Sequence, residues 1–124
     1  MMRALGVVAI VLVCSSGLAA DLLDERAEHA TAEWRKNGLP MPSARVFRKS
    51  YPWSLEDERK RGLPPTRLGE RELEAETFNC LAAQASVAAV FARQHDLLGK
   101  ADGMPRITHY MIVACLNLVT KLGR

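Results

Sequence analysis

This chain of 124 residues has little that points to chemistry. Cysteine is scarce, with residues at 14, 80 and 115 only. None forms a CxxC, which argues against a thioredoxin-like redox site, and none a CxxCH, which removes covalent haem attachment. There is no glycine-rich phosphate loop, and Ser43, Ser50, Ser54 and Ser86 sit in no nucleophile-elbow context. Aromatic residues make up 6%. After position 20, Val, Ile, Leu and Phe supply 23 of 104 residues, just above the level at which a chain buries too little to fold. The length gives room for one domain. A large enzyme, a polytopic membrane protein and a collagen-like or low-complexity chain are therefore excluded.

Metal ligands do not cluster. His29 with Glu25 or Glu33 has the i,i+4 spacing of two ligands on one helix face, but a third is missing, and a polar helix face looks the same. His95 and Asp96 are adjacent and so point apart. His109, beside Tyr110, reads as a partly buried, hydrogen-bonded histidine rather than a base. No catalytic residue, metal site or cofactor is expected, and an enzyme is the minority reading.

The N-terminus is the most specific signal present. Met1-Met2-Arg3 is a short positive region, Ala4–Val13 a ten-residue apolar run, and Cys14–Ala20 ends in small residues before Asp21, Asp24 and Glu25 bring charge. This pattern predicts a secretory signal peptide over residues 1–20, cut near Ala20, and a periplasmic or secreted protein. An uncleaved anchor is the alternative, with 17 residues from Ala4 to Ala20 at the bottom of the spanning range. A lipidated Cys14 is disfavoured by the branched Val13 before it. Cleavage leaves Cys80 and Cys115, and an oxidising compartment makes one disulfide between them the default. Free buried thiols or an intermolecular bridge are the alternatives.

Three stretches follow. Residues 21–38 predict an N-terminal helix: Leu23, Ala27, Ala30 and Trp34 fall at spacings of 4, 3 and 4, acids lie at its start, and Gly38 and Pro40 close it. Residues 39–68 hold five of the six prolines and read as an irregular, basic linker or arm with one short helical turn over 54–61. Between Arg45 and Arg67 there are seven basic residues against three acidic ones. Aromatics lie among these cations, and Arg45, Phe47, Arg48, Lys49, Tyr51 and Trp53 are the candidate partner-binding residues. The aromatics either fold back onto the core or form a contact surface.

Residues 69–124 read as the helical core. Phe78, Leu81, Ala85, Ala88 and Ala92 share one face, widened by Ala82 and Ala89. A second helix over 105–122 opens with Pro105 and places Ile107, Met111, Ala114, Cys115, Leu118 and Leu122 on one face, with a central strand as the alternative. A straight antiparallel pair brings Cys80 near Cys115 only if the first helix stops near Ala92 to Gln94, so a break around Arg93 to Asp96 is predicted.

The expected fold is thus all-α: a small disulfide-stapled hairpin or bundle of about three helices with a Pro-rich irregular segment. The expected function is a small exported binding protein, with an envelope partner or an inhibitor, immunity or chaperone-like role, using the basic-aromatic arm. A module associating with anionic lipid or polymer is the first alternative, and a small metal-dependent enzyme the second. The expected partner is a protein in the envelope or extracellular space, not nucleic acid, and a homo-oligomer through the C-terminal helix is a further alternative.

Overall fold

A computed structural model describes residues 22–122, so the signal-peptide reading of residues 1–20 lies outside the described residues. Five helices make up the described chain: α1 (22–36), α2 (Arg45–Lys60), α3 (Glu70–Ala83), α4 (Ala85–Gln94) and α5 (Gly103–Leu122). There is no strand among the described residues, and the segment around Ile112 and Val113 is helical.

The α1 stripe is buried in full: Leu23, Ala27, Ala30 and Trp34 all face the core. The Trp34 indole N–H donates to the Leu81 carbonyl of α3 at 2.9 Å, and its ring meets Phe47 of α2 edge-on at 4.9 Å. Phe78 then packs on Phe47 and Tyr51, with ring centroids 6.4 and 5.8 Å apart. One aromatic cluster therefore ties α1, α2 and α3 together.

Helix α2 corrects the reading of 39–68 as irregular. Four of its five prolines, Pro40, Pro42, Pro64 and Pro65, flank the helix, and only Pro52 lies inside it. An interior proline costs about 3 kcal/mol through a lost hydrogen bond and a ring clash. Phe47, Tyr51, Ser54 and Leu55, at i, i+4, i+7 and i+8, are all buried. Burying side chains of the Phe and Leu class is worth about 1.5–3 kcal/mol each, so this stripe outweighs Pro52. Ser54 accordingly lies in the helix interior rather than capping a short turn.

Helices α3 and α4 were expected as one. They are separated at Gln84, whose backbone leaves helical geometry (φ −99°, ψ 18°), and the second ends at Gln94 as the disulfide spacing requires. The described residues therefore hold five helices rather than about three. Ala85, Ala88, Ala89 and Ala92 form the buried side of α4, and their small side chains let it lie close to α5.

Helix α5 is the central element, packed on α2, α3 and α4. It starts at Gly103, two residues before Pro105, where any Cβ would collide with the Leu97 carbonyl. Its buried side runs through Ile107, Met111, Ile112, Cys115, Leu116 and Val119. Ala114, Leu118 and Leu122, expected on that face, are exposed instead. Cys80 and Cys115 form the disulfide, with Cα atoms 5.7 Å apart, and staple α3 to α5.

Three helices end in the same way. Gly38 (φ +87°), Gly62 (φ +105°) and Asp96 (φ +51°) take the left-handed conformation. The next residue, Leu39, Leu63 or Leu97, sends its N–H back to the carbonyl five residues earlier at 2.9–3.0 Å. This closure satisfies orphan carbonyls and tucks a leucine under the helix end. Asp96 is the one position of the three with a Cβ to strain there. Asp96→Gly is expected to stabilise the fold by roughly 0.5–1 kcal/mol, read as a raised midpoint in urea unfolding. A lower midpoint would mean the aspartate side chain contributes more than its backbone costs.

Candidate interaction surface

The six partner-binding residues expected in the arm do not share one surface. Phe47 and Tyr51 are buried, so the aromatics fold back onto the core at those two positions. The Tyr51 hydroxyl is buried and has no hydrogen-bond partner among the described residues; the Thr77 hydroxyl of α3 donates to Leu73 O at 2.7 Å. Burial, then the Glu74 and Glu70 carboxylates, push the Tyr51 phenol far up. Arg48 is occupied: it reaches Asp24 of α1 at 2.6 Å and Glu74 of α3 at 3.0 Å. Arg45, Lys49 and Trp53 remain exposed. Arg45, Arg48 and Lys49 line a shallow cleft of about 400 Å³ with Asp24.

Glu74 shows what this bridge costs. Burial pushes its carboxyl above the ordinary value, and the Arg48 guanidinium offsets that only in part. Folding therefore favours the protonated acid. Its stabilising contribution is full below the ordinary carboxylate range and is lost as pH rises through the folded value. Relative to Glu74→Gln, the natural protein is expected to lose stability as pH rises through and above the ordinary carboxylate range. Urea midpoints of the two proteins across that range check it; a gap that is flat or moves the other way reverses the sign.

A second polar arrangement joins α2 to α5. Ser54 Oγ lies 2.9 Å from His109 Nδ1, and Asp57 Oδ2 lies 3.5 Å from His109 Nε2. The tautomer protonated at Nε2 satisfies both partners: Ser54 donates to Nδ1, and the ring donates toward Asp57. The Trp53 ring covers the imidazole at 4.5 Å, and Arg61 holds Asp57 at 3.4 Å. Serine, histidine and aspartate in hydrogen-bond order are the parts of a hydrolytic triad. Ser54, however, is fully buried inside α2 and offers no oxygen to a substrate. The arrangement acts as a polar clasp that orients α2 on α5. His109 is thus hydrogen-bonded and half-buried, as its sequence context predicts.

Among the described residues there is no group of three or more potential metal ligands. His29 is exposed on α1, and His95 is exposed beyond the end of α4, where its ring lies 4.5 Å from Phe91.

An exposed apolar surface lies on α4 and α5, and it includes Ala114 and Leu118, which the sequence pattern predicts as core. Phe91 of α4 and Tyr110 of α5 stack in parallel, with centroids 4.0 Å apart and planes 4° from parallel. Val87 and Val90 extend the surface along α4, and Ala114 and Leu118 extend it along α5. Tyr110 and Val87 are each 50% exposed. The segment of α5 from Tyr110 to Val119 is apolar almost all round, with Asn117 the exception. A helix apolar on every side must either sit in the middle of its protein or offer one side to something else.

No protein-family model, no curated protein and no solved structure matches this chain.

Proposed function

We propose that this chain is a small exported helical interaction protein that recognises a protein partner through the α4–α5 face. The carrying observation is the set of exposed apolar residues Val87 and Val90 on α4 and Tyr110, Ala114 and Leu118 on α5, two helices joined here by the stack of the half-buried Phe91 on Tyr110. Apolar patches of this kind on otherwise charged surfaces mark interaction sites. Export is supported by the tripartite pattern of residues 1–20 and by the Cys80–Cys115 disulfide, which suits an oxidising compartment. Relative to the basic-aromatic arm, this reading moves the contact surface, because two arm aromatics and Arg48 are committed to the fold.

The test is partner capture from envelope extract with the natural protein, with Val90→Asp/Tyr110→Asp, and with Arg45→Glu/Lys49→Glu. A partner that survives high-salt washing and is lost only with the first variant is the expected result. Retention by that variant refutes the α4–α5 face.

One observation favours a second reading. Arg45 and Lys49 are exposed one turn apart at the start of α2, where the helix dipole opposes cations and the first turn holds no acid. They suit association with anionic lipid or polymer. Capture of such material that washes off with salt and vanishes with Arg45→Glu/Lys49→Glu would establish it.

A further inference from the structure

We propose that the α4–α5 face docks an amphipathic helix of a partner protein whose apolar side is flanked by acidic residues. This deepens the reading above and rests on it. The face is an exposed apolar side shared by two packed helices, a surface that the apolar side of a third, amphipathic helix can cover. Tyr110 and Leu118 stand one turn to either side of Ala114 on α5, and Val87 and Val90 are the exposed apolar residues of α4. The small Ala114 side chain allows close approach of a partner helix, and the Phe91–Tyr110 ring pair joins α4 to α5 beside it.

Charge selects the occupant. Helices α4 and α5 carry Arg93, Arg106 and Lys121 and neither aspartate nor glutamate. None of the three makes an ion pair among the described residues, whereas Arg26, Lys36, Arg48, Arg59, Lys60 and Arg61 all do. The acids on the α2 side are already engaged: Glu58 accepts from Asn117 at 2.8 Å, and Asp57 faces His109 and Arg61. Asp96 and Asp102 lie in the connection between α4 and α5, outside both helices. An apolar strip with a cationic rim is complemented by an apolar strip with an acidic rim.

The same charges argue against a second copy. A two-fold pairing through this face would set cations against cations with no acid on either helix to balance them. Lipid fits less well than a helix. Apart from Leu118 the projecting aliphatic side chains are short, and Phe91 is spent on Tyr110, whereas helices that lie in a bilayer surface project Trp, Phe and Leu.

The experiment uses two labelled helical peptides of about 18 residues, roughly five turns, with the same Leu/Ala face and either Glu or Lys flanks. Fluorescence anisotropy with the purified protein is expected to give at least about ten-fold tighter binding of the Glu peptide, a ratio that shrinks as salt rises. Arg93→Glu/Arg106→Glu/Lys121→Glu should invert the preference, with circular dichroism confirming an unchanged helix content. Equal affinities, tighter binding of the Lys peptide or no binding of either overturns the inference. So does uptake by phosphatidylglycerol vesicles without peptide selectivity, or a dimer in sedimentation that Val90→Asp dissolves. If the peptides fail while Val90→Asp/Tyr110→Asp still loses its captured partner, only the acidic-helix inference falls. If capture ignores the face, both fall.

Discussion

Phe47→Ala is expected to destabilise the protein by about 3–5 kcal/mol, the usual cost of emptying a buried aromatic site. Phe47 has no solvent exposure, meets Trp34 edge-on at 4.9 Å and lies 6.4 Å from Phe78. Removing its ring opens a cavity bounded by three helices, and Trp34 cannot collapse into it without breaking its hydrogen bond to Leu81. A domain of this size has about 5–15 kcal/mol of stability, so the variant should lose much of it. Urea unfolding followed by circular dichroism measures the loss. Trp53→Ala is the control on the same helix: its ring is 60% exposed, and the expected cost stays under about 1 kcal/mol. Similar small losses at both positions would return residues 45–60 to the status of an arm.

Opening the disulfide is expected to cost about 4 kcal/mol, since Cys80 and Cys115 are 35 residues apart and closing such a loop restricts the unfolded chain. For a domain near 100 residues this lowers the melting temperature by on the order of 20 °C. The measurement compares thermal unfolding of the natural protein with Cys80→Ser/Cys115→Ala, and with the natural protein under reductant. The fold should nevertheless persist at room temperature. Its core draws on α1 and α2 through Trp34, Phe47 and Tyr51, and not on the α3–α5 segment alone. A melting temperature unchanged by both treatments would mean the bridge is not formed in solution.

What could be read from the sequence, and what could not, has a physical basis. Helix α1 was legible because its stripe, its acidic start and its Gly38 stop all agree. The Cys80–Cys115 pairing was legible because only these two cysteines follow position 20, and the end of α4 at Gln94 because the bridge then ties two helix lengths together. Helix α2 was not, because proline content outweighed a stripe that Phe47, Tyr51 and Leu55 already spell at i, i+4 and i+8. The positions of Pro40, Pro42, Pro64 and Pro65, just outside the helix, mark its limits rather than forbid it.

The candidate surface was hidden for a different reason. On α5 the periodicity of Ile107, Met111, Ala114, Cys115, Leu118 and Leu122 fits one apolar face, yet the core keeps only Ile107, Met111 and Cys115 of it and adds Ile112, Leu116 and Val119 from the neighbouring side. A helix that is apolar on both sides does not reveal which side its own protein covers. The Ser54–His109 contact spans 55 residues between two helices, and local spacing carries no trace of it.

Hydroxyl-radical footprinting of the protein alone and with its captured partner places the contact most directly. Tyr110 and Leu118 report on the α4–α5 face, and Trp53 reports on the former arm, since all three are exposed in the free protein. The expected result is several-fold protection of Tyr110 and Leu118 with Trp53 unchanged. Protection of Trp53 with Tyr110 and Leu118 still fully labelled would contradict it and place recognition on α2.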